Sequence, residues 1–247
     1  MIGRRFALSA SMNFGPIVSL AWVSDVMWKL NEEIRYASQS DACVMLTGES
    51  GVGKRFAADM IHQSSRRRRA PFVVVNGADA LEGATAGPDA AGQFPNGLLR
   101  TARGGTLLLQ EIEHMGASAQ LQLLQLVDRM RSPGTDVRLM AATSVNLFDR
   151  VQSGEFRDDL YYRLNVIHFV IPPLRERPED IPLMFHHYLS LHIRTEAPQL
   201  STAARQRLVE YPWPGNIREL KTITRKLSAQ ELPEVIEPEH LPCPIGQ

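Results

Sequence analysis

The chain has 247 residues, 44% of them hydrophobic, enough to bury a substantial core in one mid-sized domain plus a small one, or in a single large α/β unit. Its 27 Lys and Arg balance 27 Asp and Glu, which excludes a strong overall field steering it to nucleic acid or to an anionic membrane; a nucleic-acid role would need a local patch. The two cysteines, Cys43 and Cys243, lie too far apart for a disulfide framework or a metal-ligand spacing, so a reducing cytoplasm is the expected home.

In the first residues Arg4 and Arg5 precede an apolar stretch, but Ser, Asn, Gly and Pro interrupt it, short of the roughly 18 apolar residues of a membrane span. No membrane segment is expected. Over residues 17–36, Val23, Val26, Met27, Leu30 and Ile34 recur at helical intervals with Glu32 and Glu33 opposite, which predicts an amphipathic helix. The run ACVML predicts a short strand entering a Gly-rich turn, with a helix starting near Lys54. SSRRRRAP is a basic turn, and FVVVN is a β-branched run of the kind buried in a parallel sheet. Residues 77–96, rich in Ala, Gly and Pro, are expected to form a loop. GTLLLQE is a further buried strand, AQLQLLQLVDRM an amphipathic helix and VRLMAAT another strand, an alternation that implies a right-handed parallel α/β sheet. After IPPLRERPEDIP the pattern becomes helical (PLMFHHYLSLHI, STAARQRLVE, NIRELKTITRKL) with no further strand-like run, and a Pro-rich tail closes the chain across a surface.

Gly48, Glu49, Ser50, Gly51, Val52, Gly53 and Lys54 spell G-x-x-x-x-G-K between a predicted strand and a predicted helix. Glycines let backbone N–H groups turn inward around phosphate oxygens, the helix N-terminus adds partial positive charge, and the lysine reaches the outer phosphates. A chance Gly-rich turn is the alternative. The residue after the lysine is Arg55, where the general motif carries a Ser or Thr hydroxyl for magnesium.

TGESGVGK, PFVVVN, GGTLLLQEI, GEFRDDLYYRLNVIHFVIPPLRERPEDIP and YPWPGNIREL stand in an order that resembles the AAA+ domain of bacterial enhancer-binding proteins, the sigma-54-dependent transcription activators, over residues 16–242. The resemblance implies an AAA+ P-loop NTPase fold: a parallel sheet sandwiched by helices, followed by a small helical lid. Expected boundaries are an N-terminal extension at 1–15, the nucleotide-binding domain at 16–177, the lid at 178–242 and a tail at 243–247. It also implies that Asn76 couples the catalytic glutamate to the nucleotide, though on spacing alone it would be a plain strand-end Asn. Arg157 and Arg163 would reach into a neighbouring subunit's site to stabilise charge on the γ-phosphate, though by themselves they would be surface arginines paired with Asp158 and Asp159. Arg218 would be the lid's sensor arginine, or simply a helix-face arginine in an i,i+4 pair. Thr143 would be the sensor position on its strand, followed by Ser144 where the family usually has Asn, a shorter group with less reach toward the same partner.

Two departures set expectations for activity. At the tip of the GTLLL strand stands Gln110-Glu111 where the family has Asp-Glu. A neutral amide offers only a carbonyl oxygen to the magnesium hydration shell, so metal support should weaken while Glu111 remains to polarise water. Residues 77–96 contain nothing like the family's GAFTGA loop, which puts the sigma-54 contact in doubt. Expected cofactors are therefore ATP or ADP with weakened magnesium, and the expected activity is nucleotide binding with slow or no hydrolysis. Self-association or entry into a mixed AAA+ ring is expected, with no DNA-binding domain and no membrane partner in this chain. An active ATPase driving transcription is one alternative; a non-catalytic regulatory module, a scaffold for protein contact or for another nucleotide such as a cyclic dinucleotide, is another. The basic cluster Arg66, Arg67, Arg68 and Arg69 reads as a solvated turn in preference to a nucleic-acid or cyclic-dinucleotide contact.

Overall fold

A computed structural model describes residues 23–77, 94–130, 136–193, 197–243 and 245–246. The chain divides into two compact units. The first takes in the described residues of Met1–Asn31, Ser50–Val52 and Pro172–Gln247; the second takes in those of Glu32–Glu49 and Gly53–Ile171.

The second unit is built on five parallel strands: β1 (Val44–Thr47), β2 (Phe72–Asn76), β3 (Thr106–Gln110), β4 (Arg138–Thr143) and β5 (Ile167–Val170), in the spatial order β2-β3-β4-β1-β5. Three of the apolar runs read from sequence, β1, β3 and β4, become its centre, whereas FVVVN, expected to be buried, forms the edge strand β2 and is only half-buried. Leu107, Leu108 and Leu109 of β3 and Met140, Ala141 and Ala142 of β4 are fully buried, as strands covered on both faces must be. β5 is an edge strand that the sequence pattern did not single out. It alternates exposed His168 and Val170 with buried Phe169, because successive side chains point to opposite faces of the sheet and only one face is covered there.

Helices α1 (Asp25–Ser38), α2 (Lys54–Gln63), α3 (Phe94–Thr101), α4 (Ala117–Met130), α5 (Leu147–Gln152) and α6 (Asp158–Leu164) punctuate these strands. α1 buries Met27, Leu30, Ile34 and Ala37 at helical spacing, but Val23 and Val26, which the periodicity placed on the same face, are exposed. Ala119, Leu123, Leu126 and Val127 of α4 pack with Leu107, Leu109, Leu139 and Ala141 into one core with Leu160 and Leu164 of α6. The expected 77–96 loop needs one correction, because α3 already starts at Phe94; residues 78–93, where the GAFTGA comparison falls, lie outside the described residues.

The first unit is mainly helical: α7 (Asp180–Ser190), α8 (Thr202–Glu210) and α9 (Asn216–Leu227) surround a core of Phe185, Leu189, Leu208, Trp213 and Leu220. The expectation of no further strands is corrected by a short parallel pair, β6 (Gln199–Leu200) with β7 (Val235–Ile236). The Pro-rich tail continues from β7 and buries Leu241 and Ile245 in that core, which anchors it without long periodic structure.

Candidate functional site

β1 ends at Thr47, and the chain turns through Gly48 and Glu49 before re-entering the second unit at Gly53, the N-cap of α2, in the left-handed region at φ 106°. A residue with a Cβ resists that conformation, so the glycine shapes the helix entry. Lys54 then folds back over the turn, its Nζ donating to Gly48 O at 2.6 Å, Glu49 O at 3.1 Å and Ser144 Oγ at 2.8 Å. Gly48 N–H in turn donates to Thr143 O at 3.3 Å. The sheet order explains the meeting: β4 lies between β1 and β3, so its end sits beside the phosphate turn on one side and the tip of β3 on the other. Crevices at the carboxyl ends of parallel strands are where such folds hold ligands.

Asn76 and Gln110 are register partners at the ends of β2 and β3. Asn76 Nδ2 donates to Glu111 Oε2 at 2.8 Å, so the strand-end amide does hold the candidate base. Glu111 has φ 57°, a left-handed conformation uncommon for a residue with a side chain, and it turns the chain sharply out of β3. The short helical turn Ile112–His114 follows. From it Glu113 reaches the end of β4, where its Oε1 accepts the Ser144 N–H at 2.8 Å. The sequence pattern alone gives Glu113 no role; its one signal is the third acceptor in Gln110-Glu111-Ile112-Glu113.

Thr143 is buried, and its hydroxyl bonds Val145 rather than the turn; at this edge its backbone carbonyl meets Gly48. Ser144, the shorter group in the family's Asn position, is the side chain that reaches Lys54. Arg55 is exposed on α2.

Arg157 is the N-cap of α6 and Arg163 lies in its last turn. Arg157 donates to both oxygens of Asp159, at 3.0 and 2.7 Å, which raises the arginine's pKa and lowers that of Asp159. Arg163 pairs with Asp128 of α4, not with Asp158 or Asp159 as its neighbours in sequence suggested.

In the first unit, Ser50, Gly51 and Val52 meet α9 and its approach. Arg218 Nη1 donates to Ser50 Oγ at 2.8 Å, Asn216 Nδ2 to Ser50 O at 3.1 Å, and Ile217 N–H to Gly51 O at 3.0 Å. Buried Arg177 donates to Val52 O at 2.9 Å. A Cβ on Gly51 would lie 2.4 Å from Gly215 O, so the loop tip admits only glycine there. Arg218 thus has an assignable partner in the glycine turn itself, not an i,i+4 acid.

Residues 20–170 match the Sigma-54 interaction domain, and residues 175–247 match an AAA+ ATPase lid domain. The chain belongs to the sigma-54 interaction domain family. Among relatives of this family, the C4-dicarboxylate transport transcriptional regulatory protein DctD of Rhizobium meliloti is 39% identical over 82% of this chain and 48% of its own length. The DNA-binding transcriptional regulator NtrC of Bradyrhizobium is 38% identical over 89% of this chain and 50% of its own length. The chain therefore spans about half the length of the curated relatives it matches. NtrX from Brucella abortus, solved in complex with ADP, superposes with a TM-score of 0.78 at 28% identity, covering 98% of this chain and 59% of NtrX; its complex with ATP gives 0.77. The fold is that of an AAA+ P-loop NTPase with a helical lid. Among the described residues, no helix is long and apolar enough to cross a membrane.

Proposed function

We infer that the chain is the nucleotide-binding AAA+ module of a transcription regulator, holding ATP or ADP on the turn 48–54 and hydrolysing it slowly. The carrying observation is the arrangement at the ends of β1, β3 and β4: a glycine turn opening α2, Lys54 folded across it, and Gln110 at the tip of β3. The nucleotide complexes of the related NtrX support the ligand. Lys54 is the group for the outer phosphates, and Glu111, released from Asn76, is the group to orient and polarise water.

Magnesium, when bound, would neutralise phosphate charge. The donor set fits a metal carried mostly by water and phosphate, since magnesium commonly takes only one or two carboxylates and Glu111 and Glu113 stand near the tip of β3. Gln110 offers a carbonyl oxygen without charge, which is the physical ground for slow turnover.

Arg157 and Arg163 fit a trans-acting role in a ring of like or mixed subunits, and the family supports self-association in the cytoplasm. Contact with sigma-54 is not part of this reading, because residues 77–96 carry no GAFTGA-like sequence. Calorimetry with ATP and ADP, followed by phosphate release on the same sample, tests it. Binding with turnover near background supports the reading. Turnover as fast as an active relative's sinks the slow-hydrolysis part, and failure of Lys54→Ala to weaken binding sinks the site.

A further inference from the structure

Three consecutive carbonyls of the glycine turn are taken up within the first unit. Ser50 O accepts from Asn216 Nδ2 at 3.1 Å, Gly51 O from the Ile217 N–H at 3.0 Å, and Val52 O from Arg177 Nη2 at 2.9 Å. A trans peptide is planar, with its C=O and N–H pointing opposite ways, so a carbonyl held on one side turns the next residue's N–H to the other. The three bonds therefore set the directions of the N–H groups of Gly51, Val52 and Gly53, and successive backbone N–H groups in such a turn are what lines an anion site. Of the three donors, only Arg177 carries a formal charge.

Arg177 and Asp180 are both buried. Burial pushes the Arg177 guanidinium below its ordinary pKa, and the charge of Asp180 opposes that shift. Asp180 opens α7, and its oxygens accept the Val23 N–H at 3.1 Å, the Ser24 N–H at 2.9 Å and the Ser24 hydroxyl at 2.9 Å. Val23 and Ser24 are the residues by which the chain enters α1. Burial pushes the Asp180 carboxyl up, and the bonds from Ser24 are the strongest influence favouring its charged form. Dependence thus passes from Ser24 to the Asp180 charge, from that charge to Arg177, and from Arg177 to the peptide between Val52 and Gly53. We propose that Arg177 is a positioning residue for the nucleotide's phosphates, aligning that peptide, and that Asp180 and Ser24 hold it in place, so that the entry of α1 sets nucleotide affinity. The proposal rests on the nucleotide-binding reading of the turn 48–54. A role confined to packing differs from it in one respect: loss of Arg177 would then lower the folded fraction and leave the affinity of the folded molecules unchanged.

The test is calorimetry of ADP with the full chain, for the wild type, Arg177→Met, Arg177→Lys, Ser24→Ala, and the double variant of Ser24→Ala with Arg177→Met. Calorimetry reads Kd and stoichiometry separately, so an unfolded fraction lowers the second without touching the first. Arg177→Met should weaken ADP binding by about 10–100-fold, the range of a hydrogen bond to a charged group. Arg177→Lys, which keeps a cation and a donor, should fall between it and the wild type. Ser24→Ala keeps both backbone bonds to Asp180 and loses the hydroxyl's, and should weaken binding by about threefold to tenfold. In the Arg177→Met background the same change should cost less than about twofold, because residues that act through one another are not additive. Wild-type affinity in Arg177→Met overturns the proposal, as does an equal effect of Ser24→Ala in both backgrounds. Where Arg177→Met does not fold, Ser24→Ala decides, and wild-type affinity there overturns the proposal. No ADP binding by the wild type overturns the nucleotide reading and this proposal with it, whereas a wild type that binds beside variants that bind equally well overturns this proposal alone.

Discussion

Asn216 joins the glycine turn to the helix that carries Arg218, and its replacement has a size that follows from its surroundings. It is fully buried, at φ 52°, its Oδ1 accepting the Leu174 N–H at 2.7 Å and its Nδ2 donating to Ser50 O at 3.1 Å. Asn216→Ala strands the buried Leu174 amide, at about 1–3 kcal/mol. It also puts alanine, with no side-chain hydrogen bond to compensate, in the left-handed region, at about 1 kcal/mol more. The expected loss is therefore about 2–4 kcal/mol. Asn216→Gly loses the same hydrogen bonds but accepts the backbone angle, so it should fall between wild type and alanine. Urea unfolding followed by tryptophan fluorescence measures this, since Trp213 is buried in the same core. An Asn216→Ala loss under about 0.5 kcal/mol would refute the hydrogen-bond argument. A glycine variant less stable than the alanine one would refute the backbone argument.

Gln110→Asp should raise phosphate release by roughly 10–100-fold if the remaining groups are aligned, and no change in a steady-state assay would mean that charge at this position is not limiting. His62, buried against Phe72 with its Nδ1 bonded to the Thr106 hydroxyl, is held below its ordinary pKa of 6.5 chiefly by burial. Its contribution to stability is thus present above that value and lost as pH falls through the depressed one; melting temperatures should drop with acid, and His62→Gln should flatten the dependence. Arg163→Ala should leave ADP affinity unchanged while removing any rise of turnover with protein concentration; a loss of affinity instead would place Arg163 in its own chain's site.

How much of this was legible in sequence follows from how strongly each element is constrained. β3 and β4 are covered on both faces, so their runs of leucine and alanine could hardly read otherwise. β5 is four residues long with a mixed burial pattern and leaves only a weak alternation, and the two-residue strands β6 and β7 are too short to carry a period. The glycine turn was legible because backbone curvature demands glycine at fixed spacing. Glu113 was not, because its partner is a backbone N–H thirty-one positions away. The same limit explains Arg163: local sequence offered Asp158 and Asp159, but the packing of α6 on α4 brought Asp128 nearer.

The ion pairs of Arg157 and Arg163 bear on whether these side chains can serve another subunit. A pair that held its arginine firmly would oppose such a role, but Asp159 and Asp128 are both substantially exposed, where solvent screens the attraction and many such pairs contribute little. A phosphate bearing several charges in a closed interface is a stronger acceptor than either aspartate, and guanidinium geometry suits it. On the proposed trans-acting role, the carboxylates would be weak holders that a phosphate in an assembled site would outcompete. Charge at the end of β3 works differently. There Glu111 and Glu113 are braced by Asn76 and Ser144, so their placement is fixed before any nucleotide arrives. On the proposed reading, turnover would depend less on freeing the arginines than on whether the fixed carboxylates stand where a reacting phosphate needs them, which is why position 110 is the substitution expected to change the rate.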